Sequence, residues 1–134
     1  MYLLDTCIIS ELVKAKPSAK VTYWISEQPE SALYLSVLSI GEIEQGIARL
    51  SSGAKKERLI AWAISSLPAR FGERILPIDT SVAASWGSFQ DRNRQTLPVI
   101  DGLIAATARV HDLTVITRNT KDFQRFDIPV FNPW

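Results

Sequence analysis

Between Pro98 and Arg118 the chain reads VIDGLIAATARVHDLTVIT (residues 99–117), a helix pattern that runs almost directly into a strand pattern. Val99 to His111 is apolar nearly all round, which predicts a central, buried helix. Leu113 to Thr117 is short and β-branched, which predicts a buried strand. The same alternation extends toward the N-terminus. YLLD near the start reads as a buried strand, followed by a short helix around Ile8 to Lys14. Pro17 suits the first turn of a second helix, on which Val21, Trp24 and Ile25 recur. Ala32 to Ser36 is the next strand. Ile40, Ile43, Ile47 and Leu50 recur at helical spacing, as do Leu59, Ile60, Ala63, Ile64 and Leu67. RILPID is a short extended piece, and Val82, Trp86 and Phe89 mark a further helix. IPVF near the end reads as an edge strand. Strands alternating with helices predict an α/β fold, a three-layer α/β/α sandwich around a central, mostly parallel sheet.

Bulk composition fits one domain spanning residues 1–134. Hydrophobic residues make up 46% and charged residues 22%, an ordinary globular balance rather than a disordered one. The net charge of +1 does not single out a nucleic-acid partner. One cysteine excludes an intrachain disulfide and a cysteine metal cluster, and fits a reducing, cytoplasmic setting. No secretory signal pattern or membrane-length apolar run is expected.

In parallel sheets, ligands gather outside the carboxyl ends of the strands. Asp5 stands at that end of the first strand. Glu42, Asp101 and Asp122 each sit just after a strand or at a helix start. Each also has a plainer explanation. Ser39-Ile-Gly-Glu42 has the form of a capping box. Asp101 complements a helix dipole. Asn119-Thr-Lys-Asp122 looks like an N-cap with an acid at the third helical position. Together, however, several hard oxygens at one place suit Mg²⁺ or Mn²⁺. Asp79 in PIDT repeats the look of Asp5 in LLDT, but a helix pattern follows directly, so it reads as an N-cap. Periodicity does not choose between Glu42 and Glu44, and Glu11 reads as a surface acid.

Other chemistries find no support. His111 is the one histidine and sits at a helix end. A nucleophile elbow and a phosphate-cradling glycine loop are both missing from the sequence. Cys7 reads as a small buried hydrophobe. Metal-assisted hydrolysis is what remains.

Four stretches in order, YLLDTCIISEL, LSVLSIGEIEQGI, DGLIAATARVHDLTVITRNTKDF and IPVFNPW, resemble the PIN-domain ribonucleases, within them the VapC-type toxins and the FitB-like and plasmid-stability branch. The likeness covers essentially the whole chain. It implies an α/β/α fold and Mg²⁺-dependent endoribonuclease activity, with Mn²⁺ able to substitute. It maps the family's acidic quartet onto Asp5, Glu42, Asp101 and Asp122, and so chooses Glu42 over Glu44. Thr6, Thr117 and Asn119 fall where the family places polar support. Arg118 and Lys121 are candidate RNA contacts, followed by Arg92 and Arg94. The resemblance also implies a cognate antitoxin protein, a homodimer and higher toxin–antitoxin assembly. The competing expectation is a non-catalytic PIN-like module that binds RNA or protein. A phosphatase or DNA nuclease built on the same acids is a third.

Overall fold

The computed structural model describes residues 1–89 and 96–134. Its centre is a five-stranded sheet in the order β3-β2-β1-β4-β5, made of Tyr2–Leu4 (β1), Leu33–Ser36 (β2), Ile75–Leu76 (β3), Thr114–Ile116 (β4) and Val130–Phe131 (β5). Every pairing is parallel, not merely most of them. The helices are Thr6–Leu12 (α1), Ala19–Ser26 (α2), Val37–Ala48 (α3), Ala54–Ala61 (α4), Leu67–Phe71 (α5), Thr80–Gly87 (α6), Val99–Val110 (α7) and Thr120–Gln124 (α8). A π turn, Trp62–Ser66, joins α4 to α5.

Strand alternation explains the three layers. In β1, Leu3 packs into one core and Leu4 into the other; in β4, Val115 and Ile116 divide the same way. Successive strand side chains point to opposite faces, so a sheet with apolar residues on both faces needs a cover on each. One cover holds Ile8, Val21, Ile43 and Phe71, the other Ile104, Ala105, Phe123 and Phe126. The small residues of α7 allow close packing: a Cβ on Gly102 would meet the Trp86 indole at 3.1 Å. Asp112 adopts φ 54° in the tight turn from α7 to β4, a conformation Asp tolerates better than most residues.

Several boundaries differ from the sequence reading. Helix α1 starts at Thr6, directly on the strand, and ends at Leu12. Pro17 lies ahead of α2, whose N-cap is Ser18, because the Ser18 hydroxyl captures the Val21 amide. Ala32 belongs to a 3-10 turn rather than to β2. Phe89 lies past the end of α6. Helix α7 is central but not buried all round, since Val99, Ile100 and Val110 are exposed at its two ends. Arg92 and Arg94 lie outside the described residues.

Candidate active site

Because all five strands run the same way, their carboxyl ends form one rim, and the chain leaves each strand there. Asp5 leaves β1, Ser36 leaves β2 and Thr117 leaves β4. Asp5 is only 8% exposed and serves two purposes at once. Its Oδ1 accepts the Thr6 amide at 2.8 Å, making it the N-cap of α1. Its Oδ2 accepts the Thr117 hydroxyl at 2.7 Å, which joins β1 to β4 across the rim. Asp5 therefore caps α1 and at the same time ties the exits of β1 and β4 together.

Thr117 is fully buried and fully used. While its hydroxyl donates to Asp5, the oxygen accepts the Asn119 amide at 3.0 Å. Asn119 thus contributes through its backbone, and its side chain makes no capping bond to α8. Cys7 is half-buried rather than a core residue: its sulfur lies 3.7 Å from Asp5 Oδ2 and 3.6 Å from Thr117 Oγ1, and accepts the Arg118 amide at 3.5 Å.

The capping-box reading of Ser39 and Glu42 fails. Helix α3 begins three residues earlier, where Ser36 closes β2 and its hydroxyl captures the Leu38 amide at 3.1 Å. Ser39 is then inside the helix, fully buried, with Oγ 3.0 Å from Thr6 Oγ1. The Thr6 hydroxyl donates to Glu42 Oε1 at 2.7 Å. One threonine on α1 thereby holds an acid on α3 toward the rim. Glu44 is exposed on the same helix without such a tie. Glu11 is another correction. It is a buried acid, not a surface one, pinned by Lys14 Nζ at 2.6 Å and the Ser18 amide at 2.9 Å. These bonds, the Lys14 contact first, hold its carboxyl below the usual range. Asp79 is the N-cap expected of it, accepting the Val82 amide at 2.9 Å.

The acids are felt most clearly at Asp101, the third residue of α7. Its pKa is pushed up to about 6, first by burial and then by the negative charges of Asp5, Asp122 and Glu42. Asp5 is also raised, by burial above all, with Asp122 adding to the push and the Thr117, Thr6 and Cys7 bonds opposing it. Four acids from four places in the sequence therefore share one field. Among the described residues, no three acid, histidine or cysteine side chains are gathered tightly enough to form a ready-made metal cage. Like charges spread apart, and Asp5 and Glu42 are each tied to threonines. The donor set nevertheless fits a small hard cation that keeps several waters and takes only some carboxylates directly. The Cys7 thiol does not spoil that fit. Burial and the Asp5 charge raise its pKa, so it stays protonated and is a poor ligand. The positive charge of Arg125, just past α8, opposes burial and the other acids at Asp101 and lowers the Asp101 pKa. Arg125 carries no motif signal in the sequence.

Beside Glu42 a groove of about 450 Å³ opens between α1, α3 and α4. Val13, Ile43, Ile47, Leu59 and Trp62 make its walls apolar, and Lys14, Lys55 and Arg58 also line it.

Residues 2–129 match the PIN domain family. This chain is a PIN-domain protein. Over its whole length it is 39% identical to Toxin FitB of Neisseria gonorrhoeae, covering 99% of that protein. It is 37% identical to VapC ribonuclease Y4jK of Sinorhizobium fredii, again over the whole chain and 98% of the relative. The crystal structure of FitAcB from Neisseria gonorrhoeae superposes on this PIN domain with a TM-score of 0.92 at 39% identity, covering 100% of this chain and 99% of the other. The structure of FitAB bound to an IR36 DNA fragment gives a TM-score of 0.91 at the same identity, covering 100% and 96%. No helix among the described residues is long and apolar enough to cross a membrane.

Proposed function

We propose that this PIN domain is a divalent-metal-dependent endoribonuclease and the toxin of a toxin–antitoxin pair, with its residues 1–134 acting as one domain. The observation that carries the reading is the convergence at Asp101: burial first, and then the charges of Asp5, Asp122 and Glu42, push its pKa up, so a cation at the rim would relieve repulsion. Asp5, Glu42 and Asp101 would hold the ion, Mg²⁺ or in its place Mn²⁺, with Asp122 as the fourth acid. A divalent cation bound there supplies Lewis-acid activation of water and neutralises charge on phosphoryl oxygens.

The chain's own residues do the rest. Thr117 and the Thr6 amide fix both oxygens of Asp5, so its orientation is set before substrate arrives. Thr6 does the same for one oxygen of Glu42. Asp101 or Asp122 would accept the proton of the attacking water. Arg118 and Lys121 meet the phosphates of the strand, and the products carry a 5′-phosphate and a 3′-hydroxyl. Single-stranded or loop RNA suits such a site, because its bases can be splayed out and read.

The antitoxin belongs in the groove beside Glu42. Its apolar walls and its three cations suit an amphipathic segment with acidic flanks. A basic side chain from that segment at Glu42 would close the acid rim. A homodimer of this chain carries the assembly.

The test is to strip the purified protein with EDTA and assay cleavage of RNA with and without Mn²⁺. Activity that appears with Mn²⁺ and is lost in Asp5→Asn is expected. Cleavage that survives chelation sinks the mechanism, and failure to bind Mn²⁺ at millimolar concentration favours a non-catalytic module. Equal rates on matched DNA or a phosphomonoester would replace RNA as the substrate.

A further inference from the structure

The segment after β5 reaches the acid rim and ends in an aromatic residue that none of the chemistry above uses. Because β5 is parallel to its neighbours, the chain leaves Phe131 at the same carboxyl edge as Asp5 and Thr117. The Thr117 amide bonds to the Phe131 carbonyl at 3.0 Å, which ties the two exits together. Beyond it, Asn132 Oδ1 accepts the Trp134 amide at 3.0 Å in a tight turn, and Pro133 is buried. Trp134 is half-buried and packs against the core that Ile8, Val21 and Ile43 help to form. It is an anchored ring.

The face of that ring is occupied. The Arg118 guanidinium lies 5.3 Å from the indole centroid, within the range of a cation–π contact. Arg118 directly follows Thr117, and its own amide is bonded to the Cys7 sulfur, so its backbone is fixed to the site. Its charge is otherwise unspent: among the described residues it makes no ion pair. Glu11 is the acid within its field, and Lys14 and the Ser18 amide already satisfy it. The guanidinium is therefore biased toward the indole and solvent-exposed, and among the described residues its donor fork makes no side-chain hydrogen bond. Arginine so held matches a phosphate in bidentate fashion better than a freely moving one, because less rotamer entropy is lost on contact.

We propose that Trp134 is a positioning residue of the substrate site: its indole holds the Arg118 guanidinium at the exit of β4, next in the chain to Thr117, as a clamp for an RNA phosphate. The inference rests on the ribonuclease reading for its substrate, and deepens it by adding a residue that acts on RNA capture rather than on bond cleavage.

The experiment is a double-mutant cycle on the full chain. Trp134→Leu keeps apolar bulk and removes the π face; Trp134→Phe keeps a weaker face; Arg118→Ala removes the cation. Each is measured for KM and kcat on a single-stranded RNA with Mn²⁺. Each is also measured for affinity toward the same labelled RNA by anisotropy, in an Asp101→Asn background that does not cleave. Trp134→Leu should raise KM and the dissociation constant by about two- to fivefold, the range for an exposed cation–π contact. The cleavage rate of bound RNA should hold, and Trp134→Phe should recover part of the loss. In the Arg118→Ala background the Trp134→Leu effect should vanish. If it persists there undiminished, the indole acts on RNA by itself or through the fold, and the proposal is overturned. A fall in kcat with KM unchanged also overturns it. Wild-type protein that neither binds nor cleaves RNA under any metal condition removes the ribonuclease reading and this inference together. Intact binding and cleavage without coupling removes the inference alone.

Discussion

Asp101→Asn should make the metal-free protein more stable and inactive, and the gain should depend on pH. Asp101 has its pKa raised from 3.8 to about 6. A shift of two units is worth about 3 kcal/mol between its two protonation states if nothing screens it. Asp101 is half-exposed, and solvent screening cuts that figure by about half. The α7 dipole favours a negative charge in the first turn and takes back roughly 0.5 kcal/mol. The net expectation is about 1 kcal/mol. The sign follows from linkage. Because the folded-state pKa is above the unfolded one, the native state binds the extra proton between pH 4 and 6. The stability from that proton is complete below about pH 4 and is lost as pH rises through 6. Asparagine carries no charge at any pH, so the variant should match wild type near pH 4 and exceed it above pH 6.5. Urea unfolding in chelator at the two pH values reads this as a midpoint shift of about 0.5 M at the higher pH only. Adding Mn²⁺ should then reverse the order, since a ligand at ten times its dissociation constant stabilises wild type by about 1.4 kcal/mol. A gain of equal size at both pH values, or no gain at all, would refute the shared-field reasoning.

Glu42→Gln should lower RNA cleavage roughly a hundredfold or more while Glu44→Gln leaves it near wild type, as measured by initial rates; equal effects would mean that the Thr6 tie does not choose between them. Thr117→Val removes the hydroxyl that satisfies buried Asp5 and should cost about 1–3 kcal/mol in denaturant unfolding. Its Mn²⁺ affinity in a calorimetric titration should drop by about tenfold. Gly102→Ala presses a methyl into the Trp86 indole, which is 40% exposed and can swing aside, so only about 1 kcal/mol of stability should be lost. Gly46→Phe meets no atom within 4 Å at its Cβ and projects into the groove. The fold should keep its stability while a co-expressed antitoxin binds at least about tenfold more weakly, read by competition binding.

Much of this protein was legible before folding. Apolar runs of three to five residues alternating with helical periodicity are local signals, and they place all five strands and the helices between them. Since parallel strands put their carboxyl ends on one rim, even the location of the site follows from chain order. The proposed site acids Asp5, Asp101 and Asp122 stand at strand exits and helix starts, which is what makes them candidates in the sequence. Glu42 was ambiguous for a definite reason. Ser39-Ile-Gly-Glu42 has the form of a capping box, and periodicity does not separate Glu42 from Glu44; only the turn out of β2 makes Ser36 the cap instead of Ser39.

What the tertiary structure alone decides are relations between residues far apart in the chain. The Thr117 hydroxyl reaches Asp5 across 112 positions, and Thr6 reaches Glu42 across 36. The burial of Glu11, the raised pKa of Asp101 and the Arg118–Trp134 contact all arise where separate elements meet. Hydrophobic periodicity reports which face of an element turns inward, because burial is a property of each element against the core. Charge and hydrogen bonding at the rim depend on distances between elements, and no local pattern encodes those.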